Sequence, residues 1–152
     1  MAKMTFKGST KWSGQGVYVT SRFRGFEVAM DEPESLGGTN RAMNPVELLL
    51  SALGGCIAVL VSAYAQEQGL QIDDLSVDLE GDLDSDGFTG KAPVRPGFQD
   101  IRVKVNVASP EPQHKVNELI ELALERCPVK DTLSGVSVAE SYRVCQPEPV
   151  GA

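Results

Sequence analysis

The sequence is poor in positive charge. Its 152 residues contain 14 lysines and arginines against 21 aspartates and glutamates, which gives a net charge of −7. Binding to nucleic acid or to an anionic membrane surface depends on basic patches that offset phosphate charge. The charge balance therefore argues against both kinds of partner, and we expect no nucleic acid and no membrane contact.

Residues that hold metals and phosphates are also scarce. His114 is the only histidine, there is no CxxC pair, and there is no glycine-rich phosphate loop. Zinc, a nucleotide and a Ser–His–Asp triad therefore have little support. The stretch 82–87 (DLDSDG) imitates the start of a calcium loop, but position twelve would be Pro93 instead of glutamate. We expect no metal and no cofactor, and we interpret 82–87 as an acidic turn.

The N-terminal segment lacks the apolar core of a secretory signal, and the chain has three cysteines, an odd number. We therefore expect a cytoplasmic protein with reduced thiols. One apolar run, 48–65, approaches the ~18 residues that a membrane span needs. It contains glycines and serines and has no basic flanks, so we interpret it as a buried core helix, since a helix that is apolar all round suits the centre of a soluble protein.

Hydrophobic periodicity predicts the elements of the first half. Alternating apolar residues punctuated by glycines predict a β-meander over 3–30, starting at Met4 and Phe6, and 31–43 is expected to be a loop. Asn44 as cap, with Pro45 and Glu47 after it, begins a helix with a capping box. That helix is expected to end near Gln68, before Gly69.

The second half has three alternating segments and one helical stripe. Strands are predicted over 71–83, 101–107 and 135–145, and a helix is expected to open at 109–110 and to end at Pro128. The order βββ–α–ββ–α–β indicates an α+β fold. We expect a single domain, residues 1–152, with antiparallel sheets packed on two helices.

Two cysteines are predicted to point into this core. Cys127 returns to the face of Val116 eleven residues earlier, at ~100° per residue, and Cys56 lies in a helix without a polar face. Two inert core cysteines would give the same pattern. The third, Cys145, is interpreted as a bystander near the C-terminus.

A reactive Cys56 would need a nearby cation, because a buried thiol resists ionisation. The candidates are Arg22, Arg24 and Arg41. Glu47 is also a candidate, but it lies nine residues before Cys56, about half a turn out of phase on the helix, and is better placed to cap it.

Two motifs together resemble the OsmC/Ohr family of osmotically inducible and organic hydroperoxide resistance proteins. They are NPVELLLSALGGC at 44–56 and ERCPVKDTL at 125–133, supported by SLGG at 35–38 and GFQDIRVKV at 97–105. The resemblance covers roughly residues 15–140. It implies an OsmC-like fold with antiparallel sheets around two central helices. It also implies an interwound homodimer with two active sites at the subunit interface.

The resemblance also implies a thiol peroxidase used in oxidative stress defence. Cys56 would attack an organic hydroperoxide and become a sulfenic acid, and Cys127 would resolve it as a disulfide. A dithiol, in some members on a lipoylated protein, would then reduce the pair. Val46 stands where the organic-peroxide branch has a glutamate. The region that best matches the activating arginine of that branch, GQGVYVTSR at 14–22, has no arginine at the expected position, and Arg22 lies nearby.

Two other functions fit the same features. The apolar surroundings of Cys56 could hold a small apolar ligand without catalysis, or the cysteine pair could act as a redox sensor.

Overall fold

The computed structural model describes residues 1–149, so the last three residues of the expected domain lie outside the description. The chain divides into two compact units, one of residues 1–49 and one from residue 50 onward. Helix α1 begins in the first unit and continues into the second. The strands are β1 Gly8–Trp12, β2 Val19–Phe23, β3 Phe26–Met30, β4 Asp74–Asp82, β5 Asp100–Ala108 and β6 Ser137–Cys145. The helices are α1 Pro45–Gln68, α2 Ser85–Phe88, α3 Gln113–Glu125 and α4 Pro128–Thr132.

The first unit contains a three-stranded antiparallel sheet in the order β1-β2-β3. Arg24 and Gly25 join β2 to β3, and both have positive φ, 54° and 83°, as a two-residue type I′ hairpin requires. The predicted meander is confirmed, but its first strand begins at Gly8 and not near Met4. The reason is the length of β2, since Gly8 already pairs with Phe23, the last residue before the turn.

The loop after β3 is organised around the buried carboxylate of Asp31. This group accepts hydrogen bonds from the amide of Glu32 at 2.8 Å and the hydroxyl of Thr39 at 2.6 Å. The amides of Thr39 and Arg41 donate to it at 3.3 and 3.2 Å. These donors, led by the Thr39 hydroxyl, lower the pKa of Asp31 from 3.8 to about 2. The predicted loop is confirmed, with one 3-10 turn inside it at Glu34–Leu36.

Acid is expected to destabilise the first unit by protonating the Asp31 carboxylate. A carboxyl whose pKa is lower in the folded state stabilises the fold above its unfolded pKa, and this contribution is lost as the pH falls through the folded value. The stabilisation is therefore complete above about pH 4 and disappears toward pH 2. We expect Asp31→Asn to flatten the pH dependence of stability in this window. Fluorescence of Trp12, the single tryptophan, measures it because Trp12 lies in this unit; equal slopes in the two proteins would contradict the assignment.

Helix α1 begins and ends as predicted. The Glu47 amide donates to the Asn44 side chain, and the Asn44 amide donates to the Glu47 carboxylate, both at 2.9 Å, which is a capping box. Gly69 follows the last residue with a φ of 66°, the left-handed conformation that ends many helices.

The predicted core helix α1 contributes to the core, but a single chain buries only part of it. In the described residues one stripe is buried, made of Leu53, Gly54, Ile57, Val61 and Ala65. This stripe packs on one sheet and one neighbouring helix, and these cover only one side of a helical cylinder. By length and composition alone, α1 could also cross a membrane, and Val59 on its outer side is 66% exposed.

The second unit is built on a three-stranded sheet in the order β4-β5-β6. Strand β5 alternates strictly, with Ile101, Val103, Val105 and Val107 buried and the residues between them outside the core. These valines share a single core cluster with the stripe of α1 and with the apolar face of α3. Gly54 lets α1 approach β4 closely, because a Cβ there would lie 2.5 Å from a terminal methyl of Leu79. The α+β class is confirmed.

The last strand pair differs from the predicted antiparallel arrangement. Strands β4 and β5 are antiparallel, but β5 and β6 run parallel, with Asp100 opposite Ser137 and Ala108 opposite Cys145. A parallel pair needs a long crossover connection. The chain supplies it with α3 and with α4, a short helix that the sequence interpretation did not include.

Candidate active site

Two thiols meet inside the second unit. Cys56 lies on α1 beside the buried Ile57 and is half-buried, whereas Cys127 lies between α3 and α4 and is 1% exposed. Cys127 belongs to the core cluster and Cys56 packs against it, near enough for the Cys56 side chain to raise the pKa of the Cys127 thiol. The two thiols are therefore neighbours, as the sequence predicts. Neighbouring thiols can be joined by a disulfide if one of them is oxidised.

The backbone around Cys127 explains how its thiol is held. Pro128 follows it, and a residue before proline avoids the helical region, so Cys127 is extended with φ −72° and ψ 110°. Helix α3 ends there and α4 begins. The Cys127 Sγ atom then accepts a hydrogen bond from the amide of Lys130, at 3.4 Å.

Burial raises the pKa of the Cys127 thiol above its ordinary value. The amide hydrogen bonds from Lys130 and Val129 act in the opposite direction, and the neighbouring Cys56 thiol raises the pKa further. Buried sulfur is poorly solvated as an anion, so amide donors are the main support for a thiolate here. Cys127 is therefore held mainly as a neutral thiol whose ionisation depends on its amide contacts.

A charged pair lies beside Cys127 that the sequence interpretation missed. The ammonium group of Lys130 forms an ion pair with the carboxylate of Glu140 on β6 and also donates to the carbonyl of Leu124, at 3.4 Å. The sequence contains one sign of this pair, because Glu140 falls in the same alternating phase of β6 as the apolar residues Val138 and Tyr142. A charge in the apolar phase of a strand indicates a partner on the inside.

Cys127, Lys130 and Glu140 share the wall of one pocket of about 490 Å³. Apolar side chains line much of the rest: Leu124, Leu133, Val136 and Val138. The two remaining charged groups of the wall are Glu125 and Asp131. The pocket therefore offers space beside the buried thiol and has charged groups in its wall.

The three candidate arginines have partners within the first unit. Arg22 pairs with Glu27 across the hairpin at 2.6 Å, and Arg24 stacks on the ring of Phe26. Arg41 lies 4.0 Å from the centre of the Tyr18 ring and 3.8 Å from the Asp31 carboxylate. Their predicted role toward Cys56 stays a prediction.

Glu47 is engaged by the capping box of α1, as described above. For the peroxidase reaction that the family resemblance implies, we expect Glu47→Gln to keep turnover within about twofold, because glutamine also serves in a capping box. Glu47→Ala should lower the free energy of unfolding by about 1 kcal/mol. Chemical denaturation and a turnover assay on both variants measure these effects. A large loss of turnover in a stably folded Glu47→Gln protein would instead place the carboxylate in the chemistry.

The third cysteine, Cys145, is exposed at the end of β6. Within residues 1–149, no three side chains of histidine, cysteine, aspartate or glutamate form a group that could hold a metal ion.

Residues 38–141 match the sequence model of the family described as OsmC-like protein. The chain belongs to the OsmC-like family. Both thiols of the pair lie inside the matched segment, as do Lys130 and Glu140. The recognition that rested on the two cysteine motifs is confirmed.

Relatives of this OsmC-like chain are distant in sequence and close in fold. The hydroperoxide reductase of Mycoplasma pneumoniae is 26% identical over 99 residues, which are 65% of this chain and 67% of that protein. The crystal structure of an OsmC-like protein from the same organism has a TM-score of 0.77 at 20% identity, covering 95% of this chain and 99% of that one. An organic hydroperoxide resistance protein OsmC from Legionella pneumophila has a TM-score of 0.69 at 23% identity, covering 95% and 100%.

Proposed function

We propose that this protein is a cysteine-based peroxidase that reduces organic hydroperoxides in oxidative stress defence. The observation that carries the proposal is the proximity of the Cys56 and Cys127 thiols in one apolar core. The distant relative named a hydroperoxide reductase supports the same reaction class. Proximity of two thiols is what a two-electron oxidation to a disulfide needs.

The reaction is assigned in three steps. The Cys56 thiolate attacks the terminal oxygen of the hydroperoxide, the O–O bond breaks, and the alcohol leaves after taking a proton. Cys56 is then a sulfenic acid. The Cys127 thiolate attacks the Cys56 sulfur, an S–S bond forms, the S–O bond breaks, and the hydroxide leaves as water. An external dithiol reduces the disulfide through a mixed disulfide and is itself oxidised to a disulfide.

The exposure of the two thiols supports this order of roles. Cys56 is half-buried and Cys127 is 1% exposed, so a peroxide reaches Cys56 more easily. Leu50, Cys56 and Leu60 of α1 are all partly buried and pack against the same apolar core. Apolar surroundings favour an alkyl or aryl hydroperoxide over hydrogen peroxide.

We also propose a homodimer. The outer side of α1 stays apolar, with Val59 66% exposed, and in the first unit Trp12, Phe23 and Phe26 are exposed as well. Soluble monomers rarely leave large apolar patches in water, and a second copy of the chain would cover them symmetrically. The three thiols are free, and we propose the cytoplasm as the compartment that keeps them so.

A coupled turnover assay tests the proposed reaction. Protein is mixed with cumene hydroperoxide and dithiothreitol, and loss of peroxide is measured with loss of dithiol. We expect one dithiol to be oxidised per peroxide, and faster turnover with cumene hydroperoxide than with hydrogen peroxide. A rate no higher than that of the dithiol alone would overturn the peroxidase assignment and leave an apolar binding site or a slow redox sensor.

A further inference from the structure

One residue, Lys130, connects the end of α3, the start of α4 and strand β6. Lys130 donates its amide to the Cys127 sulfur, and its ammonium group reaches back to the Leu124 carbonyl in the last turn of α3. The same ammonium group pairs with Glu140 on β6. One residue therefore connects the thiol, the helix before it and the neighbouring strand.

The ion pair is sheltered enough to fix this geometry. The side chains of Lys130 and Glu140 are 29% and 26% exposed, whereas the side chains of the Arg102 pairs on the same sheet are between 43% and 72% exposed. A partly desolvated ion pair is screened less by water and salt, and removing one partner leaves a charge without compensation. Since Glu140 belongs to a strand of the sheet, it gives α4 a rigid anchor.

We propose that Lys130 and Glu140 are positioning residues for the resolving step. Their ion pair holds the first turn of α4 so that its amides donate to the Cys127 sulfur, and this contact sets the rate at which Cys127 attacks oxidised Cys56. The inference rests on the proposed peroxidase reaction. It assigns neither residue a direct contact with the peroxide.

The amide hydrogen bonds to the Cys127 sulfur act in the resolving step and not in the attack on the peroxide. In the resolving step the amides stabilise the Cys127 sulfur while it is an anion, before it forms the S–S bond and displaces hydroxide from Cys56. If α4 moves away from the sulfur, burial acts unopposed and less thiolate is present at neutral pH. The first step, attack of Cys56 on the peroxide, uses neither amide and should keep its rate.

Other charged groups near Cys127 are left unchanged by the test. They are Glu125 and Arg126 at the end of α3, Asp131 on α4 and the Cys56 thiol on α1. Arg126 is engaged with the Tyr64 ring, 5.7 Å from its centre. Within each background these groups are the same in all the proteins compared, so a difference between variants reports the Lys130–Glu140 pair.

Four variants separate positioning from general stability: Lys130→Met, Glu140→Gln, Lys130→Arg and the charge swap Lys130→Glu with Glu140→Lys. Lys115→Met, an exposed lysine of α3, is the matched control. Each protein is mixed with one equivalent of cumene hydroperoxide and quenched at short times. Mass spectrometry then measures sulfenic acid on Cys56 and the Cys56–Cys127 disulfide.

We expect Lys130→Met and Glu140→Gln to form sulfenic acid as fast as the wild type and to convert it to disulfide roughly fivefold to tenfold more slowly at pH 7, because less thiolate is present. Lys130→Arg and the charge swap should recover most of the rate. A second readout uses the Cys56→Ser, Cys145→Ser background, in which Cys127 is the single remaining thiol and the pH dependence of its alkylation rate by iodoacetamide follows its thiolate. Its midpoint should shift to higher pH in Lys130→Met and not in Lys115→Met.

The outcomes distinguish a failure of the peroxidase assignment from a failure of the positioning role. If the wild-type Cys56 is not oxidised, the peroxidase assignment fails, whereas the titration of Cys127 still tests the positioning of its thiol. If Cys56 is oxidised and every variant resolves at the wild-type rate with an unchanged titration, the positioning role is overturned and the peroxidase assignment stands.

Discussion

Cys56→Ser is expected to reduce peroxide turnover by at least about 100-fold, because a serine hydroxyl is far less nucleophilic than a thiolate at neutral pH and no later step can begin. The substitution replaces sulfur with oxygen at a half-buried position, so the fold should persist. Thermal unfolding checks this, and the coupled assay with cumene hydroperoxide and dithiothreitol measures turnover.

The other two cysteines serve as controls for that loss. Cys145→Ser should keep wild-type turnover, because Cys145 is exposed at the end of β6. Cys127→Ser should still consume one equivalent of peroxide and then accumulate sulfenic acid on Cys56, since the resolving sulfur is missing. Full turnover in Cys56→Ser, or loss of turnover in Cys145→Ser alone, would contradict the assigned roles.

Val59→Glu is expected to break the proposed homodimer. Val59 is exposed on the outer side of α1, so a glutamate there costs little in a single chain. In a symmetric interface the substitution would bury two uncompensated charges, one from each chain, and should raise the dimer dissociation constant by at least about 100-fold. Light scattering or sedimentation across a dilution series measures the change.

Gln66→Glu is the matched control, because it adds the same charge at an exposed polar position of the same helix. It should leave the dissociation constant nearly unchanged. Turnover of Val59→Glu at low protein concentration also shows whether each active site needs the second chain. A wild-type protein that remains monomeric at micromolar concentration would exclude the dimer.

Much of the fold could be predicted because its signals are local. The capping box of Asn44 and Glu47 gives the start of α1, and the strict alternation of β5 gives the inner face of the sheet. The first strand was placed too early because its partner decides its register, and β2 ends at Phe23. The parallel pairing of β6 was missed for the same reason, since alternation looks alike in both directions.

The burial of α1 shows a different limit. An apolar helix can be covered by its own chain, by a second chain or by lipid, and composition does not distinguish these. The structure shows that the chain itself covers one stripe, centred on Ile57. What covers the side that includes Val59 depends on another molecule, which the proposed homodimer supplies.

Half of the candidate site was predictable. The helical stripe of α3 and the apolar surroundings of α1 place Cys127 and Cys56 in one core, and the structure brings their thiols together. Lys130 and Glu140 were missed because they meet only when β6 runs beside α4. A contact between a helix and a strand ten residues later depends on tertiary packing and leaves no fixed spacing in a sequence.

The most direct test of the central claim is the fate of the thiols after a single exposure to peroxide. Reduced wild-type protein is mixed with one equivalent of cumene hydroperoxide, quenched within the first second and mapped by mass spectrometry. The peroxidase assignment predicts a rapid Cys56–Cys127 disulfide with Cys145 still reduced. Thiols that stay reduced, or that oxidise no faster than free cysteine, would contradict it.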